Sequence, residues 1–289
     1  VLGWEAGGQV AGRLRVTSRN ARFQQWQSLL SNRTKRQRAG EFLVQGVRPI
    51  SLAAAFGWPL HALIYDAERP LSDWARQLLR TIDTVQVAMA PDLLADLGEK
   101  ADGRPELVAV AELPADDLDL LPADDHFLGI VLDRPASPGN IGSIIRSADA
   151  FGAHGVIVTG HAADVYDPRS VRASTGSLFA LPVVRCPSHQ EVAGWLAARR
   201  ARGWPVVLAG ADEHGDRAVF DADFTGPTLL VVGNEGSGLS GAWRDLCDSL
   251  VSIPTTGAAS SLNAANAATA ILYEIARQRT LAQRNPERS

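Results

Sequence analysis

The sequence predicts two α/β units in tandem, the second built on a parallel sheet covered on both faces. Three observations carry this. Strand-like and helix-like stretches alternate from residue 20 onwards. Beyond residue 127 the strands are near-continuous apolar runs such as "FLGIVLD" and "TLLVVG", as in a sheet buried on both sides. The acidic, proline-containing stretch "LPADDLDLLPADDH" separates the two alternations.

The first dozen residues contain four glycines and no periodicity, and residues 1–19 are expected to form a flexible start. A helix begins near Asn20, where Phe23, Trp26, Leu29 and Leu30 recur at three- and four-residue spacing. Strand "EFLVQG", helix "RPISLAAAFG", strand "LHALIYD", helix "LSDWARQLLRTI", strand "TVQVAMA", helix "PDLLADLGE" and strand "PELVAVAEL" complete a first unit over 20–112. Residues 113–126 read as an acidic linker. From 127 to 289, "FLGIVLD", "GVIVTG", "LPVVRC", "PVVLAG", "TLLVVG" and "SLVSIP" supply the second sheet. A long alanine-rich helix from about Leu262 to Gln283 closes the chain.

An apolar fraction of 46% and a charged fraction of 21% fit a globular protein. No segment approaches the roughly 20 apolar residues of a membrane span, and the first residues lack the order of a secretory signal. Cys186 and Cys247 lie 61 positions apart (247 − 186) with no C-x-x-C, so a reduced, cytoplasmic protein is expected. The histidines form no H-E-x-x-H pattern, His154 and His161 being the nearest pair, and no metal is expected.

The formal charge of −4 argues against nucleic acid, but its distribution argues for it. Nine Lys or Arg lie between Arg13 and Arg48 against one acid, Glu41, whereas six acids and no base lie between Glu112 and Asp125. Arg33, Lys35, Arg36, Arg38 and Arg48 are the candidate RNA contacts. A solvated helix surface explains the same charges equally well. Arginine preferred over lysine favours RNA, although GC-rich coding gives the same bias.

Three polar, glycine-rich turns follow predicted strands, where ligands gather in open α/β sheets. In "DRPASPGNIGSIIRSADAFG", Asn140 is a candidate N-cap and Gly152 a C-terminal stop. Ile141, Ile144, Ile145, Ala148 and Phe151 line one helix face, with Arg146 roughly opposite. In "LLVVGNEGSGLSG", the glycines at 233, 236 and 238 do not match the dinucleotide fingerprint, and no lysine follows as in a P-loop. In "VSIPTTGAASSLNAANAATAILYE", a loop of small residues enters a helix that Ser260 or Ser261 would cap. Singly, these read as a cap, a tight turn and a packing helix. On successive strands of one sheet, they read as a ligand site.

"N-I-G-x-I-I-R" at 140–146, "V-G-N-E-G-x-G-L" at 232–239 and "I-P-x-x-G-x-x-x-S-L-N" at 253–263 resemble the three motifs of the SpoU (TrmH-type) family of S-adenosylmethionine-dependent RNA ribose 2′-O-methyltransferases. The first unit resembles the ribosomal-protein-L30-like (L30e-like) RNA-binding domain that often precedes it. The resemblance implies a SPOUT-type parallel sheet with a C-terminal trefoil knot, although physical rules make threaded connections rare. It implies S-adenosylmethionine bound by Gly233, Asn234, Gly236, Gly238, Ile253, Pro254 and Leu262. It implies Arg146 at the ribose oxygen or adjacent phosphate, as base or electrostatic support, with Asn140, Glu235, Ser261 and Asn263 orienting it. Thr255 and Ser260 depart from the usual residues at pocket walls.

The resemblance also implies a homodimer through the catalytic domain. Ala264, Ala265, Ala268, Ile271, Leu272 and Ile275 offer an apolar helix face for it. The expected substrate is 23S rRNA, with a possible role in antibiotic self-protection of the ribosome. Transfer RNA as substrate, or a catalytically silent RNA binder, are the alternatives. A nucleotide-dependent oxidoreductase lacks its glycine fingerprint.

Overall fold

The structure, a computed structural model, describes residues 12–98, 104–258 and 261–284. Two compact units divide between Pro114 and Ala115, and the short stretch Tyr166–Pro168 groups with the first.

The first unit carries a five-stranded mixed sheet of β1 (Arg13–Val16), β2 (Glu41–Gln45), β3 (Leu60–Asp66), β4 (Val85–Met89) and β5 (Leu107–Glu112), in the order β1-β4-β3-β5-β2. Its helices are α1 (Ala21–Ser31), α2 (Arg33–Ala39), α3 (Val47–Ala55), α4 (Asp73–Thr81) and α5 (Pro91–Leu97). The periodic residues Phe23, Trp26 and Leu29 of α1 are buried against Ile64, Val87 and Val108 of the sheet, each such side chain contributing about 1.5–3 kcal/mol.

One expectation needs correction here. Residues 1–11 lie outside the described residues, but Arg13–Val16, expected within the flexible start, form an edge strand. They pair in parallel with Gln86–Met89, and Val16 enters the core. Four residues with one buried position give too little periodicity to be read. The basic cluster is a separate helix, because Asn32 ends α1 and its side chain accepts from the Lys35 N–H to start α2.

The second unit carries seven parallel strands: β6 (Leu128–Asp133), β7 (Gly155–Thr159), β8 (Val183–Cys186), β9 (Val207–Ala211), β10 (Arg217–Ala218), β11 (Thr228–Val232) and β12 (Ser249–Ser252). Their order is β10-β12-β9-β11-β6-β7-β8. Helices α6 (Pro138–Ala150), α7 (Pro168–Ala173), α8 (His189–Ala201), α9 (Gly241–Leu246) and α10 (Ala264–Arg284) complete the α/β layers. Every residue of β6, β7 and β11 is buried, as their unbroken apolar runs require.

The acidic stretch is no free tether. Asp116 pairs with Arg185 at 2.8 Å, Asp119 pairs with Arg199 at 2.8 Å, and Leu121 is buried in the core of the second unit. His154 is also structural: its Nδ1 accepts from the Leu128 N–H at 3.1 Å and its ring stacks on Phe127.

Candidate functional site

The central turn owes its shape to β11 ending at Gly233. A Cβ on Gly233 would lie 2.3 Å from the Gly238 carbonyl carbon and 2.4 Å from the Leu239 nitrogen, so no other residue fits. The loop closes on itself through Asn234 N–H to Gly238 O (3.0 Å) and the reverse bond (2.9 Å). Inside it, Asn234 Oδ1 accepts from the N–H groups of Gly236 and Ser237, while its Nδ2 donates to the Arg134 carbonyl at 2.7 Å. Asn234 is thus a scaffold residue. Arg134 offers that carbonyl from a left-handed backbone (φ 51°), its guanidinium forked onto the buried Asp133. Asp133 in turn accepts from the Ser240 N–H at 2.8 Å and so ties the turn to the end of β6.

Glu235 reaches out of the turn to the start of α6. Its Oε2 accepts from the Ala136 N–H at 2.9 Å, and its Oε1 accepts from the Ser137 N–H at 3.2 Å and from Asn140 Nδ2 at 2.8 Å. Partial burial works to raise the Glu235 pKa. The bonds from the Ala136 N–H, the Asn140 amide, its own N–H and the Ser137 N–H outweigh burial and hold the carboxyl below its usual range.

An ionised carboxylate only accepts, so it dictates which way the Asn140 amide faces. The Asn140 oxygen is therefore left for Asn263, whose Nδ2 donates to it at 3.3 Å. Asn263 Oδ1 then faces the N–H groups of Ala265 and Asn266 at the start of α10. One negative charge thus orients residues from all three motifs in sequence.

Two capping expectations change as a result. Ser137, not Asn140, caps α6 by accepting from the Asn140 N–H, which frees the Asn140 side chain. Asn263, not a serine, caps α10; Ser260 lies outside the described residues. Gly152 follows α6 with φ 74°, as a helix stop requires.

Beside this network lies a cavity of about 320 Å³ between the turn and the segment leading into α10. Gly233, Asn234, Gly236, Gly238, Ile253 and Leu262 line it, with Glu235, Ser261 and Thr255. Pro254 is absent from its lining. Sequence reading missed Asp212, Glu213 and Arg244, which also line it. They sit outside the three motif cores, so no pattern singled them out. Apolar walls with a few convergent polar groups suit a neutral ring bearing polar arms.

Arg146 stands six residues (146 − 140) along α6 from Asn140. It is exposed and has no hydrogen-bond or ion-pair partner among the described residues. The thiols of Cys186 and Cys247 are pushed up to about 11 and about 12, chiefly by burial, so neither is a nucleophile near neutral pH.

The basic residues of the first unit divide. Arg33, Lys35, Arg38 and Arg48 are exposed. Arg36 is only 2% exposed and donates to the Leu29 carbonyl, so its assignment as an RNA contact is corrected. It locks α2 to α1, and charge counting does not distinguish such a residue from its neighbours. The apolar face of α10 is corrected likewise. Ala265, Ala268, Ile271, Leu272 and Ile275 are buried within the chain, where α10 packs on α6, and are not available to a partner.

Residues 20–109 match the SpoU L30e-like domain, and residues 128–273 match the SpoU rRNA Methylase family. The chain is similar to the 23S rRNA (uridine(2479)-2′-O)-methyltransferase of Streptomyces viridochromogenes, at 71% identity over 265 residues, covering 92% of each chain. Among solved structures, it is similar to the SpoU methyltransferase AviRb of that organism in complex with the cofactor AdoMet. The TM-score is 0.88, over 91% of this chain and 99% of that one, at 71% identity. It is also similar to the AdoMet-bound rRNA methyltransferase from Sinorhizobium meliloti, with a TM-score of 0.81 at 26% identity, covering 92% and 98% of the two chains.

Proposed function

The chain belongs to the SpoU rRNA methylase family, and we propose that it methylates a ribose 2′-hydroxyl of 23S rRNA with S-adenosylmethionine as donor. One observation carries the reading above the others. The cavity and the Glu235–Asn140–Asn263 network share Glu235, so a ligand-sized space adjoins a set of oriented polar groups. The uridine acted on by the 71% identical relative is the proposed target type.

S-adenosylmethionine supplies an electrophilic methyl group on its sulfonium. Gly233 lets the turn close, and the apolar wall of Val232, Ile253, Leu262 and Ile271 takes the adenine ring. Displacement at a methyl carbon requires attacking oxygen, carbon and leaving sulfur in line, so positioning carries much of the rate. Asn140 and Asn263, fixed by Glu235, position the ribose. Arg146 stabilises the negative charge that grows on its 2′-oxygen, a role that needs a cation facing the substrate. Arg33, Lys35, Arg38 and Arg48 contact RNA phosphates. Residues 253–258 and 261–263 are read as belonging to the threaded part of a trefoil knot; a crystal structure tracing them outside the 233–239 turn would remove that assignment.

The second, exposed face of α10, with Tyr273 edge-on to Phe151, is the proposed homodimer contact. A monomer mass by light scattering at micromolar concentration would exclude it. The self-protection reading predicts that a susceptible host carrying the chain tolerates a 23S-directed antibiotic; unchanged sensitivity would count against it.

The test of function uses labelled S-adenosylmethionine with separate pools of unmodified 23S rRNA, 16S rRNA and tRNA, followed by alkaline digestion. A 2′-O-methyl group blocks cleavage at its own phosphodiester. Label in alkali-resistant dinucleotides from the 23S pool is expected. Label released as mononucleotides would mean base methylation and overturn the ribose assignment.

A further inference from the structure

We propose that Arg244, held in place by Asp212, is the anchor for the carboxylate of the cofactor's amino-acid arm; this rests on the cofactor reading above. Among the described residues, four charged side chains line the cavity: Asp212, Glu213, Glu235 and Arg244. Both oxygens of Glu235 are committed to α6 and the residues before it. Asp212 is spent inside the wall. Its side chain is 2% exposed, its Oδ1 accepts from the His214 N–H at 2.9 Å, and its Oδ2 meets Arg244 Nη2 at 2.8 Å.

Among the described residues Arg244 is therefore the cavity's one cation, and it is directed from behind by a buried carboxylate. Its Nε donates to the Leu239 carbonyl at 3.3 Å, while its side chain remains 39% exposed. A guanidinium has five N–H donors, so about three remain for a ligand. Planar, forked donors fixed in orientation match a carboxylate, which accepts two parallel bonds.

The surrounding charge narrows the ligand chemistry. With three acids around one cation, a diphosphate would meet repulsion on most of this wall. A zwitterion with ammonium and carboxylate on one carbon would not, because each of its charges finds an opposite within the same wall. Methionine-derived cofactors carry that group, and the adenine end needs none of these charges.

Calorimetric titration of the full chain tests this with two ligands. S-adenosylmethionine carries the carboxylate, while its decarboxylated analogue keeps adenosine, sulfonium and amine. Wild type is expected to bind the first about ten- to a hundred-fold more tightly, the range of a charge-assisted hydrogen bond. Arg244→Gln should bind both alike, losing affinity only for the ligand with the carboxylate, and Arg244→Lys should recover part of the preference. Equal weakening of both ligands by Arg244→Gln would assign Arg244 to the wall's architecture and overturn the inference. If that variant fails to fold, the wild type still decides, because equal affinity for the two ligands overturns it. Wild type binding neither ligand would remove the cofactor reading itself, and this inference with it.

Discussion

The turn at 233–239 and the basic helix Arg33–Ala39 both stood out as short motifs, yet they are built on opposite principles. In the turn and the residues it orients, the polar side chains spend most of their hydrogen-bonding capacity within the fold: Asn234 on its own loop, Glu235 on α6, Asn140 on Glu235 and Asn263. In the helix, Lys35 and Arg38 project into solvent while Arg36 is buried. A preorganised network loses geometry when any member changes. A charged surface loses one increment of affinity per residue. Polar side chains thus act by precision in the turn and by charge on the helix.

The comparison is strained most at Arg146, which is exposed like Lys35 and Arg38 but lies on the same helix as Asn140. Arg146→Ala is expected to slow methyl transfer in single turnover by about a hundred-fold or more, with unchanged affinity for S-adenosylmethionine. A loss confined to RNA affinity would place Arg146 with the surface cations instead.

Glu235 sharpens the other side. Because its carboxyl is held below the usual range in the fold, it contributes stability that is present above the unfolded pKa near 4.5 and lost as pH falls through the lower folded value. Glu235→Gln is expected to cost on the order of 1 kcal/mol at neutral pH, toward the low end because the group is partly exposed. It should also flatten the acid limb of a plot of melting temperature against pH. An unaltered acid limb would mean that the network is not held by this charge.

The smallest effects separate residues within the basic helix. Arg38→Ala should leave the melting temperature unchanged and lower the salt dependence of RNA binding by about one phosphate contact. Arg36→Ala should do the reverse, destabilising the first unit and leaving the salt slope unchanged at temperatures where the unit stays folded. Matching behaviour of the two variants would erase the distinction drawn from burial.

The same contrast explains what could be read from the sequence. The apolar strands of the second sheet were legible because burial on both faces leaves an uninterrupted run. The motif residues were legible because their chemistry fixes residue types at fixed spacing, as with Gly233 beneath the Gly238 backbone. Strand β1 was not, because it has one buried position and its pairing partner β4 is remote in sequence, with Arg13 opposite Gln86. The α10 face was read as apolar correctly but given the wrong neighbour, since periodicity states that a face is covered and not by what. Arg244 and Asp212 lie outside the three motif cores, on a short helix and at a strand end, and only the folded chain brings them to one wall.

On the proposed function, one cavity, bounded by the 233–239 turn and the segment into α10, holds the cofactor beside the oriented network. Amide hydrogen exchange of the full chain with and without S-adenosylmethionine tests it most directly. Slowed exchange is expected to be concentrated in residues 233–239 and in the segment from 253 into the first turn of α10, with the first unit unchanged. Slowed exchange confined to the first unit, or tight binding with neither segment protected, would contradict it.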